Sequence, residues 1–258
     1  MLYSLSMERR NFLERITQLA GSAAIAPLLQ TDSAMAQIVA ENDARLVSST
    51  AEYDAAGTKV TGYLARLKGG QKRPAVLVIH ENRGLNPHTQ DVARRAAVEG
   101  FLAYAPDMMA LPGGLNSPDT VARLAAAVGF LAKHPESTGK VGVVGFCWGG
   151  GMVNRLAAAG TSMNAGVPYY GAQIAAEEVP KISAPLLLQY GANDTRINAG
   201  IEAYEAALKA NKKVYEKFIY EGAGHAFNND TNTGSYNKEA ATLAWERTIK
   251  FFKKYLAA

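Results

Sequence analysis

Gly145-Phe146-Cys147-Trp148-Gly149-Gly150 carries the single cysteine of a 258-residue chain. An apolar run before it, Lys140 to Val144, reads as a short buried strand, and the stretch from Met152 to Ala159 reads as a helix. A reactive group on such a strand-to-helix turn needs glycine on both sides, because the turn is strained and its flanking elements crowd it. The pattern is G-x-S-x-G with cysteine in the place of serine. A thiol attacks a carbonyl carbon as the thiolate, so it needs a base and a group that orients the base. His225, in Gly222-Ala223-Gly224-His225, can take the proton, and Asp194, in Gly191-Ala192-Asn193-Asp194, can hold the imidazole in the required tautomer. The N–H after the cysteine, that of Trp148, would supply half of an oxyanion hole, and Asn82 N–H the other half.

These residues must be brought to one edge by their elements. Arg45 to Tyr53 and Lys59 to Leu67 read as strands of an antiparallel hairpin around the turn Ala55-Ala56-Gly57-Thr58. Strands then follow at 75–79, 101–105, 141–144, 165–170, 186–190 and 214–220. Helices are expected at 91–99, from Ser117-Pro118-Asp119 through Leu131, at 152–159, at 201–210 and at 236–255. Strands alternating with helices imply an α/β fold whose mostly parallel sheet is covered by helices on both faces. In such sheets ligands bind past the carboxyl ends of the strands. His80-Glu81-Asn82-Arg83-Gly84, Cys147, Asp194 and His225 all follow strands, so all four loops emerge on one edge.

Composition excludes several other functions. The formal net charge is +4, with no Lys/Arg cluster interleaved with aromatics, so a nucleic-acid partner is not expected. His80-Glu81 lacks the second histidine of H-E-x-x-H, and no G-x-G-x-x-G or Walker A loop occurs, so neither a metal nor another cofactor is expected. Asp91, Arg94 and Arg95 are expected on a solvated helix face. Of Tyr169 and Tyr170, one ring is expected in the core and one in the cleft. Both, with Arg83, are the candidate substrate contacts.

Residues 1–36 read separately from residues 37–258. Glu8-Arg9-Arg10-Asn11-Phe12-Leu13, a weakly apolar stretch from Ile16 to Leu29, and Ala34-Met35-Ala36 resemble a twin-arginine export signal with cleavage near Ala36. This implies the twin-arginine export machinery as a partner and a periplasmic or otherwise exported protein. The apolar stretch is shorter than the ~20 residues a membrane span requires, so stable insertion is not expected.

The order Cys147, Asp194, His225 is that of α/β-hydrolase triads, and the surrounding residues resemble the dienelactone hydrolase family of that superfamily. The resemblance rests on 79–85 (Ile-His-Glu-Asn-Arg-Gly-Leu), Ala105-Pro106-Asp107, 143–150, Tyr169-Tyr170-Gly171, 190–194 and Gly224-His225-Ala226-Phe227. It implies an α/β-hydrolase fold and a Cys147–His225–Asp194 triad. It also implies that Glu81 helps deprotonate the thiol when substrate arrives. The expected activity is hydrolysis of a small ester or lactone (carboxymethylenebutenolidase-like) through an acyl-thioester. A non-catalytic ligand- or partner-binding module on the same scaffold is the competing reading, and the complete set of reactive residues argues against it. In family members that cleave the lactone of chlorocatechol degradation, two arginines clamp the substrate carboxylate. Here one of those positions is Asn229, and Pro106-Asp107 is followed by Met108 to Leu111 without an arginine. Asparagine and leucine do not replace a bidentate guanidinium.

Overall fold

A computed structural model describes residues 38–257; the proposed leader and its cleavage point lie outside the described residues. Strands β1 (Leu46–Ala55) and β2 (Thr58–Leu67) form the antiparallel hairpin. The chain continues through β3 (Arg73–Ile79), α1 (Pro87–Val98), β4 (Leu102–Pro106), α2 (Thr120–Lys133), β5 (Ser137–Phe146) and α3 (Trp148–Ala158). It ends with β6 (Ala165–Tyr169), β7 (Leu186–Gly191), α4 (Thr195–Asn198), α5 (Ile201–Ala210), β8 (Tyr215–Tyr220) and α6 (Lys238–Tyr255). All eight strands join one sheet in the order β1-β2-β4-β3-β5-β6-β7-β8. Only the β1–β2 and β2–β4 pairs are antiparallel.

The strand sequences explain the layers. Ala75, Leu77 and Ile79 of β3 and Val141 and Val143 of β5 point to one face, where they pack on Leu124 and Leu131 of α2, Leu156 of α3 and Leu208 of α5. The alternate residues Val76, Val78, Val144 and Phe146 face the other way, onto Val92 and Ala96 of α1 and Ala244 and Phe252 of α6. A strand buried on both faces must be apolar throughout, which is why these strands show no polar alternation. Leu77 is fully buried, so Leu77→Ala is expected to cost about 2–5 kcal/mol.

After β3 the chain adds β4 on one side and then β5 on the other. The order therefore reverses at β3, and such a switch point opens a crevice at the carboxyl ends of the strands. The loops bearing Glu81 and Cys147 leave from these two adjacent strands.

Two helices start earlier than their apolar periodicity predicts. Helix α1 begins at Pro87, not Asp91, because the Asn86 side chain accepts the Thr89 N–H at 2.9 Å and Pro87 fits the first turn. Helix α3 begins at Trp148, not Met152. Its run of glycines reads as a helix breaker, yet here it meets a demand of packing. A Cβ on Gly149 would lie 2.4 Å from the Ile79 carbonyl oxygen, and one on Gly150 would lie 2.5 Å from that of Tyr169. The short helix α4 has no counterpart among the sequence expectations.

Candidate active site

Cys147 sits between β5 and α3 with φ 54° and ψ −113°, a region that non-glycine residues rarely occupy. Such strain costs of order 1–3 kcal/mol and persists only where the surroundings hold it. They do so here on both sides of the residue. Cys147 N–H donates to Tyr169 O at 3.1 Å, and its carbonyl accepts Gly151 N–H at 3.1 Å, which starts α3. The sulfur thus stands at the N-terminus of a helix, where a negative charge is favoured.

His225 Nε2 lies 3.0 Å from Cys147 Sγ, and His225 Nδ1 lies 2.5 Å from Asp194 Oδ2. The fold therefore brings together three residues from the ends of β5, β7 and β8. Asp194 also caps α4, its Oδ1 accepting Ile197 N–H at 3.3 Å. Both carboxylate oxygens are fixed, so the imidazole has one orientation to adopt. The bond to the Cys147 sulfur, joined by Asp194, raises the pKa of His225 above its ordinary value against the opposing effect of partial burial.

Glu81 has both carboxylate oxygens engaged by neighbouring side chains. Its Oε1 accepts the Tyr170 hydroxyl at 3.2 Å, and its Oε2 accepts Asn229 Nδ2 at 2.7 Å. Burial first, and then the Glu81 carboxylate, push the Tyr170 phenol well above its usual range, so it remains a donor. The Asn229 amide oxygen is itself held by Thr231 N–H and Oγ1. Asn229, engaged through both its amide nitrogen and its amide oxygen, serves as a brace for Glu81.

The next residue anchors the same loop from behind. Asp230 meets His88 Nδ1 at 2.6 Å and Arg95 Nη2 at 2.6 Å. Arg95 also donates to Asp91 from Nε at 2.9 Å. Asp91 in turn accepts the N–H groups of Ile38 and Val39. Burial favours a protonated Asp230, but His88 and Arg95 outweigh it and hold the carboxyl below its usual range. The solvated helix face expected for Asp91, Arg94 and Arg95 is therefore corrected, since all three are buried. Their cover comes from residues 38–39 and from Asp230, which are remote in sequence. The only local signal was opposite charge at i, i+3 and i+4.

The cleft above Cys147 has a volume of about 640 Å³. Asn82, Trp148, Tyr170 and His225 line it with Cys147. Trp148 stacks on His80, with ring centroids 5.4 Å apart. His80 Nδ1 contacts Glu81 O at 2.5 Å and its Nε2 accepts Met108 N–H at 3.1 Å, so a buried imidazole braces the Asn82 loop. Burial lowers the pKa of His80, in keeping with this neutral role.

Two candidate substrate contacts are corrected. Tyr169 and Tyr170 are both fully buried; Tyr169 contacts Thr248 Oγ1 at 2.7 Å and is absent from the cleft lining, whereas Tyr170 is part of that lining. Arg83 is exposed and lies outside the cleft lining, which instead contains Arg155 and Arg196. Among the described residues no group of three or more His, Cys, Asp or Glu is placed to hold a metal, and no helix is long and apolar enough to cross a membrane.

The same arrangement of elements recurs in known proteins. A protein of Escherichia coli strain K12, provisionally named a carboxymethylenebutenolidase, is 31% identical over 269 residues, covering 93% of this chain and 97% of its own. Protein usf of Aquifex pyrophilus is 33% identical over 228 residues, covering 80% of this chain and 97% of its own. The crystal structure of a Klebsiella pneumoniae protein, provisionally named a dienelactone hydrolase, matches with a TM-score of 0.75 at 28% identity. That match covers 81% of this chain and 99% of the other. The model of the dienelactone hydrolase family matches residues 60–256, and the chain belongs to that family of α/β hydrolases.

Proposed function

We propose that the protein hydrolyses a small carboxylic ester or lactone through an acyl-thioester on Cys147. The observation that carries this reading is the unbroken line of contacts from Cys147 Sγ through His225 to Asp194, opening on the cleft. His225 takes the thiol proton, and the thiolate attacks the carbonyl carbon. The developing oxyanion is met by the backbone N–H groups of Asn82 and Trp148. The tetrahedral adduct collapses with loss of the alkoxide, which takes the proton from His225, and leaves the acyl group on sulfur. Water then gives a proton to His225 and attacks the thioester. The acid is released and the thiol is restored.

Asp194 keeps the imidazole aimed at the sulfur throughout this cycle and stabilises it while charged. Glu81, held by Tyr170 and Asn229, is the group assigned to help deprotonate the thiol when substrate arrives. Incubation with a chromogenic ester, quenched in acid and followed by mass spectrometry, tests the reading: an acyl adduct on the peptide containing Cys147 is expected. Ester turnover with no adduct under single-turnover conditions would sink the thioester route. We further propose that residues 1–36 direct export through the twin-arginine route and are then removed. N-terminal sequencing of protein recovered from outside the cytoplasm should begin near Gln37, and a sequence starting at Met1 would refute cleavage.

A further inference from the structure

The cleft that holds Cys147 is lined by two guanidinium groups, Arg155 and Arg196, and by no aspartate or glutamate among the described residues. Neither arginine has an ion-pair or hydrogen-bond partner there. Arg95 and Arg123, by contrast, hold carboxylates or carbonyls within the fold. Two unpaired cations facing one concave surface set up a positive potential that draws in anions.

Their placement says where the anion would sit. Trp148, Gly151, Met152 and Arg155 all line the cleft, and their spacing of i, i+3, i+4 and i+7 marks one face of α3. That face runs outward from Cys147. At 1.5 Å per residue, the Arg155 backbone lies about 10 Å beyond that of Trp148. A last-turn position accounts for a basic residue at the end of α3, but the face it occupies is the one turned to the cleft. Arg196 comes from a different element, α4, two residues after Asp194.

We infer that Arg155 and Arg196 form an anion subsite, and that the preferred substrate is an ester whose acyl chain ends in a free carboxylate, as in a half-ester of a dicarboxylic acid. The inference rests on the hydrolase reading above and specifies which esters it favours. The separation along α3 favours a carboxylate carried on a chain several bonds from the reacting carbonyl, and the chain length that suits the subsite is what the test measures. A guanidinium binds a carboxylate through two parallel hydrogen bonds, so the subsite would orient the chain as well as attract it.

The test compares 4-nitrophenyl half-esters of succinic to suberic acid with uncharged 4-nitrophenyl esters of equal chain length. The wild-type protein is expected to favour the charged member of at least one pair by about tenfold or more in kcat/KM, mainly through KM, as one added charge-assisted contact allows. That ratio should fall to within about twofold of unity in Arg155→Gln/Arg196→Gln, and Arg155→Lys/Arg196→Lys should restore part of it because charge is kept. Added salt should lower the wild-type ratio without any substitution. A wild-type ratio at or below one for every chain length, or a ratio unchanged in the double glutamine variant, overturns the subsite and leaves the hydrolase reading standing. Failure to cleave either series, with Cys147 unacylated, overturns the hydrolase reading and this inference with it.

Discussion

The two sides of the Cys147 site are built in opposite ways. Behind it, His225, Asn229 and Asp230 lie on one short loop, and each is tied down: to Asp194 and Cys147, to Glu81, and to His88 and Arg95. In front of it, Arg155 and Arg196 are exposed and have no partner among the described residues. A proton moves usefully over a few tenths of an ångström only if donor and acceptor are held, so the groups around His225 are tied down. A group that must meet a ligand from water has to keep its bonding capacity free until the ligand arrives. The rear fixes geometry, and the front leaves charge uncommitted.

The sharpest way to break this contrast is to remove the sulfur. Cys147→Ala is expected to lower kcat on an activated ester by more than about 10³-fold, because the orienting groups retain little to act on. Steady-state rates on the purified variant check this, and retention of wild-type turnover would show that the rear assembly serves something other than a thiolate.

Asp194→Asn is the next most severe change, at roughly 10²–10⁴-fold in kcat. It also has a signature in pH. The Cys147 contact and the Asp194 carboxylate raise the His225 pKa above 6.5. The stabilisation that this linkage gives is therefore complete below about 6.5 and is lost as pH rises through the higher folded-state value. Removing the carboxylate brings that loss to lower pH. Titration of the His225 ring by NMR in both proteins measures the displacement, and an unmoved midpoint would contradict the role given to Asp194.

The same contrast decides what could be read from the chain. The rear is legible where chemistry is local: a cysteine between glycines after a strand, and an acid and a histidine after later strands. Apolar runs locate the central strands, such as β3 and β7, because burial on both faces leaves little room for polar residues; β1, β2 and β8 are half exposed and carry polar residues. The first turn of α3 is not legible. Gly149 and Gly150 look like helix breakers until Ile79 O and Tyr169 O, from two other strands, are seen to leave no space for a Cβ. Asp91, Arg94 and Arg95 look solvated for the same reason, since Asp230 lies far along the sequence. Arg155 carries no local signal, because which face of α3 meets the cleft is a tertiary fact.

Asp230→Asn probes the rear through stability before activity. Taking away one charge leaves the buried Arg95 with Asp91 as its remaining carboxylate, and breaking a buried pair from one side costs roughly 3 kcal/mol. A fall of several degrees in Tm is expected, with a smaller proportional loss in kcat. An unchanged Tm would mean that the loop is held without this anchor. Asn229→Ala should be milder, at about 1–2 kcal/mol, since Glu81 loses one of two donors. Its readout is the rate of Cys147 alkylation without substrate, which should change if Glu81 is released toward the sulfur and stay constant if the brace is immaterial.

The smallest expected effect separates the two adjacent tyrosines. Tyr169→Phe removes a hydroxyl from Thr248 Oγ1, but Thr248 keeps the Gln189 amide as donor at 2.8 Å and its own bond to Ala244 O at 2.9 Å. A loss of about 1 kcal/mol in stability should follow, with kcat and KM within about twofold of the wild type, as for a substitution confined to the core. Tyr170→Phe instead takes a donor from Glu81 at a cleft-lining position and should alter kinetics more than stability. The pair measured together is the cleaner experiment, because the two residues are neighbours in sequence, both are fully buried, and only Tyr170 belongs to the cleft lining. If Tyr169→Phe raised KM while Tyr170→Phe did not, the assignment of the two rings would have to be exchanged, and with it the depth at which the cleft ends.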